Sequence, residues 1–209
     1  MVKRALQRCL GAGLIQVGRR MIVALAVVIV VASLIENRNT ARADEAPLWN
    51  ALRSGGHIAL LRHALAPGTG DPAAFAISDC STQRNLSAQG RVQAEAIGKR
   101  FRDKGVTVAQ IYSSQWCRCR DTAQLLKLGR VSELPALNSF YNRPENREPQ
   151  TQALKAWLRQ QELGEVHIFV THQVNITELT GVYPSSGELV IVSVESDGEL
   201  SVIGSIETD

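Results

Sequence analysis

Beyond Asp44 the apolar and polar positions alternate in a way that predicts strands separated by helices. "HIALL" (57–61) is a short apolar run ending at Arg62 and His63, the pattern of a buried strand. In "SAQGRVQAEAIGKRFRDKG", Ser87 is a candidate N-cap and Gly105 a candidate stop. Between them Gly90, Ala94, Ile97 and Phe101 recur at helical spacing, so the segment predicts an amphipathic helix. "VTVAQIYSS" (106–114) predicts a second strand, "QWCRCRDTAQLLKL" (115–128) a second helix and "TQALKAWLRQQEL" (151–163) a third. "VHIFVT" (166–171) is a very apolar strand, and "ELVIVSVES" with "LSVIGSIE", on either side of Asp197-Gly198, predicts a closing hairpin. Such an order implies βαβ units: an α/β fold of three layers with a mostly parallel sheet between helices.

The N-terminus follows another pattern. Lys3, Arg4, Arg8, Arg19 and Arg20 precede the apolar run Met21 to Ile35, and "ARA" follows at Ala41 to Ala43. A basic region, an apolar region and a small-residue site in that order describe a secretory signal peptide, so residues 1–43 are expected to be a leader and 44–209 the working domain. The alternative is an uncleaved anchor, which would tether the domain to a membrane. Either reading puts the domain outside the cytoplasm, periplasmic or secreted. Arg19-Arg20 alone is a weak twin-arginine signal.

Removing the leader reverses the charge. Residues 1–43 hold seven of the 23 Lys and Arg but one of the 20 Asp and Glu, which turns a formal +3 into −3. No basic face of the kind that binds nucleic acid remains. Three cysteines remain, Cys80, Cys117 and Cys119, in a compartment that oxidises exposed thiols. Cys117 and Cys119 point roughly 160–200° apart on a helix, so the expected bridge joins Cys80 to one of them. None of the three has an arginine six positions on, as a tyrosine-phosphatase nucleophile would. One C-x-C is too few ligands for zinc, and structural roles are expected.

In open α/β sheets ligands bind beyond the carboxyl ends of the strands. Three such ends carry matching polar groups: Arg62 and His63 after the first strand, Arg118 in "SSQWCRCRDTA" after the second, and His172 in "THQVN" after 166–171. Two imidazoles and two guanidiniums together suit phosphoryl transfer through histidine. A neutral imidazole can attack phosphorus when a carbonyl holds its other nitrogen in the right tautomer. Guanidinium forks match phosphoryl oxygens and stabilise their charge in the transition state, and Arg118 at a helix N-terminus would have backbone amides beside it.

"LLRHA", "YSSQWCRCRDTA" and "VTHQVNI" resemble, in order, the three core motifs of the histidine phosphatase superfamily, the phosphoglycerate-mutase-like enzymes; the S-x-x-x-R-x-x-x-T-A spacing from Ser114 to Ala123 makes the set specific. The resemblance implies a phosphohistidine nucleophile at His63, phosphate-clamping Arg62 and Arg118, a second pocket histidine at His172, and no metal or organic cofactor. The family's glycine after the nucleophile is Ala64 here. Its general acid has no clear counterpart: Ser139 stands near where some branches have glutamate, leaving Glu145, Glu148, Asp71 and Asp79 as candidates, or none of them. The leader, the "DCSTQRNLS" loop and the lack of inserted domains resemble small periplasmic members, among them lipopolysaccharide core heptose phosphatase. A small phosphorylated substrate is implied, an envelope sugar phosphate being one candidate, with Arg84 as a further anion contact.

His57 and His167 start their strands, roughly 16–20 Å from the carboxyl ends, and are expected to be structural. Zinc on two histidines and a carboxylate is the competing site, which the adjacent arginines oppose. Trp49, Trp116 and Trp157 are expected to pack. The expected activity is phosphate monoester hydrolysis, with a phosphate-binding module lacking turnover as the second reading and a membrane-tethered interaction domain as the third.

Overall fold

A computed structural model describes residues 45–208; the expected leader, residues 1–43, lies outside them. Residues 47–208 form one compact unit. The elements are helix α1 (Ala46–Arg53), strand β1 (His57–Arg62), α2 (Ala88–Asp103), β2 (Gln110–Ser113), α3 (Cys117–Leu125), β3 (Val131–Glu133), α4 (Arg147–Leu158), β4 (His167–Thr171), α5 (Gln173–Thr180), β5 (Leu189–Val194) and β6 (Leu200–Ile206), with three short 3-10 turns.

The six strands lie in the order β3-β2-β4-β1-β5-β6. β3, β2, β4 and β1 run parallel, while β5 and β6 form the expected antiparallel hairpin at the edge. Strand side chains alternate between faces, and here both faces are apolar. Ala59, Leu61, Ile168 and Val170 meet Trp49, Ile97, Phe101 and Ala123 of α1, α2 and α3 on one side. Ile58, Leu60 and Phe169 meet Leu154, Leu158 and Ile176 of α4 and α5 on the other. The expected three-layer sandwich is thus the observed one.

Three boundaries differ from the sequence pattern. β2 begins at Gln110 rather than Val106 because Val106 is buried in the core and Val108 points to solvent; Gln110 pairs with β4, and Ile111–Ser113 pair with both β4 and β3. α3 ends at Leu125, and the chain leaves through Lys127 in the left-handed region. α5 has no counterpart in the sequence pattern, since "QVNITELT" has too few apolar positions to show a helical stripe.

One glycine bears directly on the loop after β1. A Cβ on Gly90 would stand 2.0 Å from the Leu65 carbonyl oxygen, so only glycine lets α2 pack against the chain two residues beyond His63. Ser87 caps α2 as expected, and its backbone N–H donates to the same Leu65 oxygen at 3.1 Å.

Candidate active site

β1 and β4 end together, and the ladder continues one step as His63 N–H donates to Thr171 O at 3.0 Å. Two side chains then pin the backbone. Ala64 N–H donates to Thr122 Oγ1 at 3.0 Å and Leu65 N–H to Gln93 Oε1 at 2.9 Å. Thr122 Oγ1 itself donates to Arg118 O at 2.7 Å, so the Arg118–Thr122 turn of α3 holds the residue after His63. The T of the S-x-x-x-R-x-x-x-T-A pattern therefore positions the loop.

His63 is buried, with Nδ1 2.8 Å from Ala64 O. A carbonyl only accepts, so Nδ1 carries the proton and Nε2 presents a lone pair. Arg118 Nε–H donates to that Nε2 at 3.2 Å. Burial, then the Arg118 charge, pushes the His63 pKa well below the usual imidazole value, which leaves the ring neutral.

Arg118, the second residue of α3, is the hub. Its Nη1 and Nη2 donate to Asp71 Oδ1 and Oδ2 at 2.7 and 3.2 Å, a bidentate pair with both side chains buried. Nη1 also reaches Arg84 O at 3.2 Å, and Nη2 reaches His172 Nδ1 at 3.4 Å. Because that nitrogen accepts, the His172 proton sits on Nε2 and is donated to Ser114 Oγ at 2.9 Å; Ser114 Oγ–H then faces Asn138 Oδ1 at 3.3 Å. His172 too is held neutral, by burial first and then the Arg118 charge.

Arg62 and Arg84 complete the ring. Arg62 Nη1–H donates to Pro184 O at 2.9 Å, but its buried Nε–H has no partner. Arg84 donates through Nε to Gly70 O at 2.8 Å and through Nη1 to Ala66 O. Arg62, His63, Arg84, Arg118 and His172, the five residues singled out in the sequence, border one cavity of about 110 Å³. That is the share of roughly three or four waters, a space on the scale of a phosphoryl group. His57 and His167, tied to Gly55 O and Glu165 O, stay at the other end of their strands as expected. Among the described residues no cluster of His, Cys, Asp and Glu could hold a metal ion.

Three expectations are corrected. Asp71 does not stand ready as a general acid. Burial opposes its ionisation, yet hydrogen bonds from Arg118 and Trp116 and the Arg118 charge hold its carboxyl below the usual range. Asp79 caps an exposed turn and Glu145 and Glu148 are exposed outside the cavity, so no other carboxylate borders it. The N-terminus of α3 is also less open than expected, because Cys117 N–H donates to buried Gln83 Oε1 and Trp116 N–H to Ser114 Oγ. Finally, Trp116 is not mere packing: its Nε1–H donates to Asp71 Oδ2 at 3.0 Å, its ring stacks on Phe75 and its edge meets His172. Trp49 and Trp157 do pack, one in each core.

Cys80 pairs with Cys117, and Cys119 stays a buried free thiol whose pKa burial pushes up to about 12, an inert group. The bridge spans a sequence separation of 37 and ties the loop carrying Asp71 and Arg84 to the residue before Arg118. Loop-closure entropy gives it about 2–4 kcal/mol. A Cys80→Ser/Cys117→Ala variant is expected to lose about that much unfolding free energy, read as a lower denaturant midpoint at unchanged m. An unmoved midpoint would mean that Gln83 and the Asp71–Arg118 pair fix the loop alone.

The sequence model of the histidine phosphatase superfamily (branch 1) matches residues 58–165, just over half of the chain. The chain belongs to this superfamily. The match covers His63 and Arg118, and His172 follows seven residues beyond its end. No curated protein matches the chain in sequence. Solved histidine-phosphatase-like structures do match in fold. The protein histidine phosphatase SixA complexed with tungstate superposes with TM-score 0.51 at 15% identity, over 73% of this chain and 97% of its own. A putative alpha-ribazole-5'-P phosphatase from Escherichia coli K-12 gives 0.53 at 15%, over 73% and 96%. Phosphoserine phosphatase from Entamoeba histolytica, bound to 3-phosphoglyceric acid, gives 0.52 at 14%, over 73% and 98%. At these identities the likeness establishes the shared fold.

Proposed function

We propose that the protein is an exported phosphatase that hydrolyses phosphate monoesters through a phosphohistidine on His63. The observation that carries this reading is His63 at the border of a cavity ringed by three guanidiniums, its Nδ1 proton held by Ala64 O and its Nε2 lone pair covered only by the 3.2 Å Arg118 Nε–H contact, which gives way as Nε2 meets phosphorus. Nε2 attacks phosphorus as the ester oxygen departs with the bonding pair. Arg62 and Arg84 offer their Nη2 donors to the phosphoryl oxygens, and Arg118, whose N–H groups are engaged by Asp71, Arg84 O, His63 and His172, releases the two imidazoles to meet the phosphoryl group. His172, neutral and aligned by Ser114, adds a second imidazole at the cavity wall. Water then attacks phosphorus, phosphate leaves and His63 returns to its neutral form. The residues supply nucleophile and charge, so the scheme has no step for a metal or organic cofactor.

Export is supported by the leader pattern and by a disulfide, which persists in oxidising compartments. A small envelope sugar phosphate is the substrate class we favour, by the resemblance to the periplasmic heptose phosphatase group. A net charge of −3 after Ala43 gives a nucleic acid no attraction.

No neutral carboxyl borders the cavity, so no carboxylic acid is placed to protonate the leaving oxygen. Protonation by a positioned acid contributes roughly 10²–10⁴-fold. Turnover is therefore expected to fall by about 10² or more from p-nitrophenyl to phenyl phosphate, measured as kcat/KM. A flat series would reveal a proton donor. The missing acid is also what favours the second reading, a binding module: no turnover of any ester, with phosphate binding that depends on Arg62 and Arg118, would establish that instead.

A further inference from the structure

Beside the phosphoryl cavity lies a larger chamber of about 410 Å³, which shares Asp71, Ser139 and Tyr141 with it. On the phosphatase reading, on which this inference rests, the leaving group of an ester bound at His63 enters that chamber. One wall carries the stacked Phe75 and Trp116 rings, with centroids 5.0 Å apart. The lining also includes Asn142, Arg143, Asn146 and Gln150, all from one segment. Gln150 Nε2 is engaged by Asn138 O at 2.7 Å. Arg143, by contrast, has no salt bridge or side-chain hydrogen bond among the described residues, and neither amide of Asn142 and Asn146 is engaged.

The charges lining the two spaces do not cancel. Four guanidiniums, Arg62, Arg84, Arg118 and Arg143, face one carboxylate, Asp71, while both histidines are neutral. A phosphoryl dianion, about −1.5 to −2 near neutral pH, matches the three cations of the smaller cavity less Asp71. That leaves one cation unmatched, and it stands on the leaving-group side among amides with free donors. We propose that Arg143 receives a second anionic group on the leaving-group portion of the substrate, assisted by Asn142 and Asn146. The preferred substrates are therefore doubly anionic phosphate esters, and Arg143 determines that preference.

The test compares kcat/KM for glucose 6-phosphate, glucose 1,6-bisphosphate and 6-phosphogluconate, so that a second phosphate and a carboxylate are distinguished. Measurements use the mature protein, Arg143→Ala, Arg143→Lys and Arg130→Ala, the last removing an exposed charge outside both spaces. A charge-assisted contact of this kind is worth on the order of tenfold. The parent is expected to favour at least one doubly anionic ester about tenfold over glucose 6-phosphate. Arg143→Ala should bring the ratio near one, Arg143→Lys should restore part of it, and Arg130→Ala should leave it alone. Equal rates in the parent, or equal loss in Arg143→Ala and Arg130→Ala, overturn the inference. Failure of the phosphatase reading is read separately, from absent p-nitrophenyl phosphate turnover. In that event, or if the sugar esters turn over too slowly to be ranked, calorimetric titration of His63→Ala, with and without Arg143→Ala, with the same three compounds decides the anion preference, since binding needs no nucleophile; equal affinities for all three overturn the inference.

Discussion

Replacing His63 by alanine is expected to lower p-nitrophenyl phosphate turnover by about 10⁴-fold or more, the scale on which covalent enzymes lose activity with their nucleophile. Acid-quenched mass spectrometry should find one phosphoryl group on the parent, located on His63, and none on the variant. The fold should survive. The ladder bond from His63 N–H to Thr171 O is made by the backbone, and Thr122 and Gln93 still hold the next two residues. Substantial turnover without an adduct would instead mean direct attack by water. The pH response separates nucleophile from fold. Because the folded His63 pKa lies well below 6.5, the ring keeps its lone pair as pH falls through 6.5, and single-turnover phosphorylation should persist there. The unfolded chain, however, takes up protons on His63 and His172 near 6.5 while the folded chain does not. Stability should therefore fall below pH 6.5, by about 1.4 kcal/mol per pH unit for each histidine, until the folded values are reached. Activity on the acid side should end where the protein unfolds.

The strand ends were legible in the sequence because each is an apolar run stopped by charged or polar residues, and parallel strands align those stops. Register shows how closely: Arg62 lies opposite Thr171, and Ser113 opposite Val170, so all three motifs emerge at one edge. What could not be read was the loop geometry. Asp71 reads as a candidate acid in the sequence, whereas the fold makes it the fixed anion of Arg118, a role set by two residues 47 apart in sequence. Trp116 looked like packing because its polar edge is a single N–H whose partner comes from that same distant loop. Gln83 has no signal at all: it lies in a polar stretch, and its burial rests on a hydrogen bond to Cys117 N–H, 34 residues on. Local pattern specified elements and ends; contacts between loops depend on closure over long separations, which no periodicity records.

Arg118→Ala is expected to reduce kcat/KM by about 10³–10⁵, the range for a guanidinium that meets phosphoryl charge in the transition state. Lysine should rescue little, since it offers a point charge where the site uses a fork directed at once to Asp71, His63 and His172. A structural effect accompanies the loss and has to be separated from it. Without Arg118 the buried Asp71 carboxylate keeps only the Trp116 and Arg84 donors, and an uncompensated buried charge destabilises by about 3 kcal/mol. Asp71, with its folded pKa lowered, contributes stability that is present above about pH 3.8 and lost as pH falls through the folded value; in Arg118→Ala that acid transition should move upward. Asp71→Asn alone should lower activity less than Arg118→Ala, because the guanidinium stays beside His63 but loses one charged anchor. The double variant Arg118→Ala/Asp71→Asn is the deciding case, as it removes both charges and with them the unpaired carboxylate. Denaturation should find it more stable than Arg118→Ala, while kcat/KM should stay as low. Recovery of activity along with stability would make Arg118 a fold residue rather than a ligand of the phosphoryl group, and the nucleophile would then have to act with Arg62 and Arg84 alone.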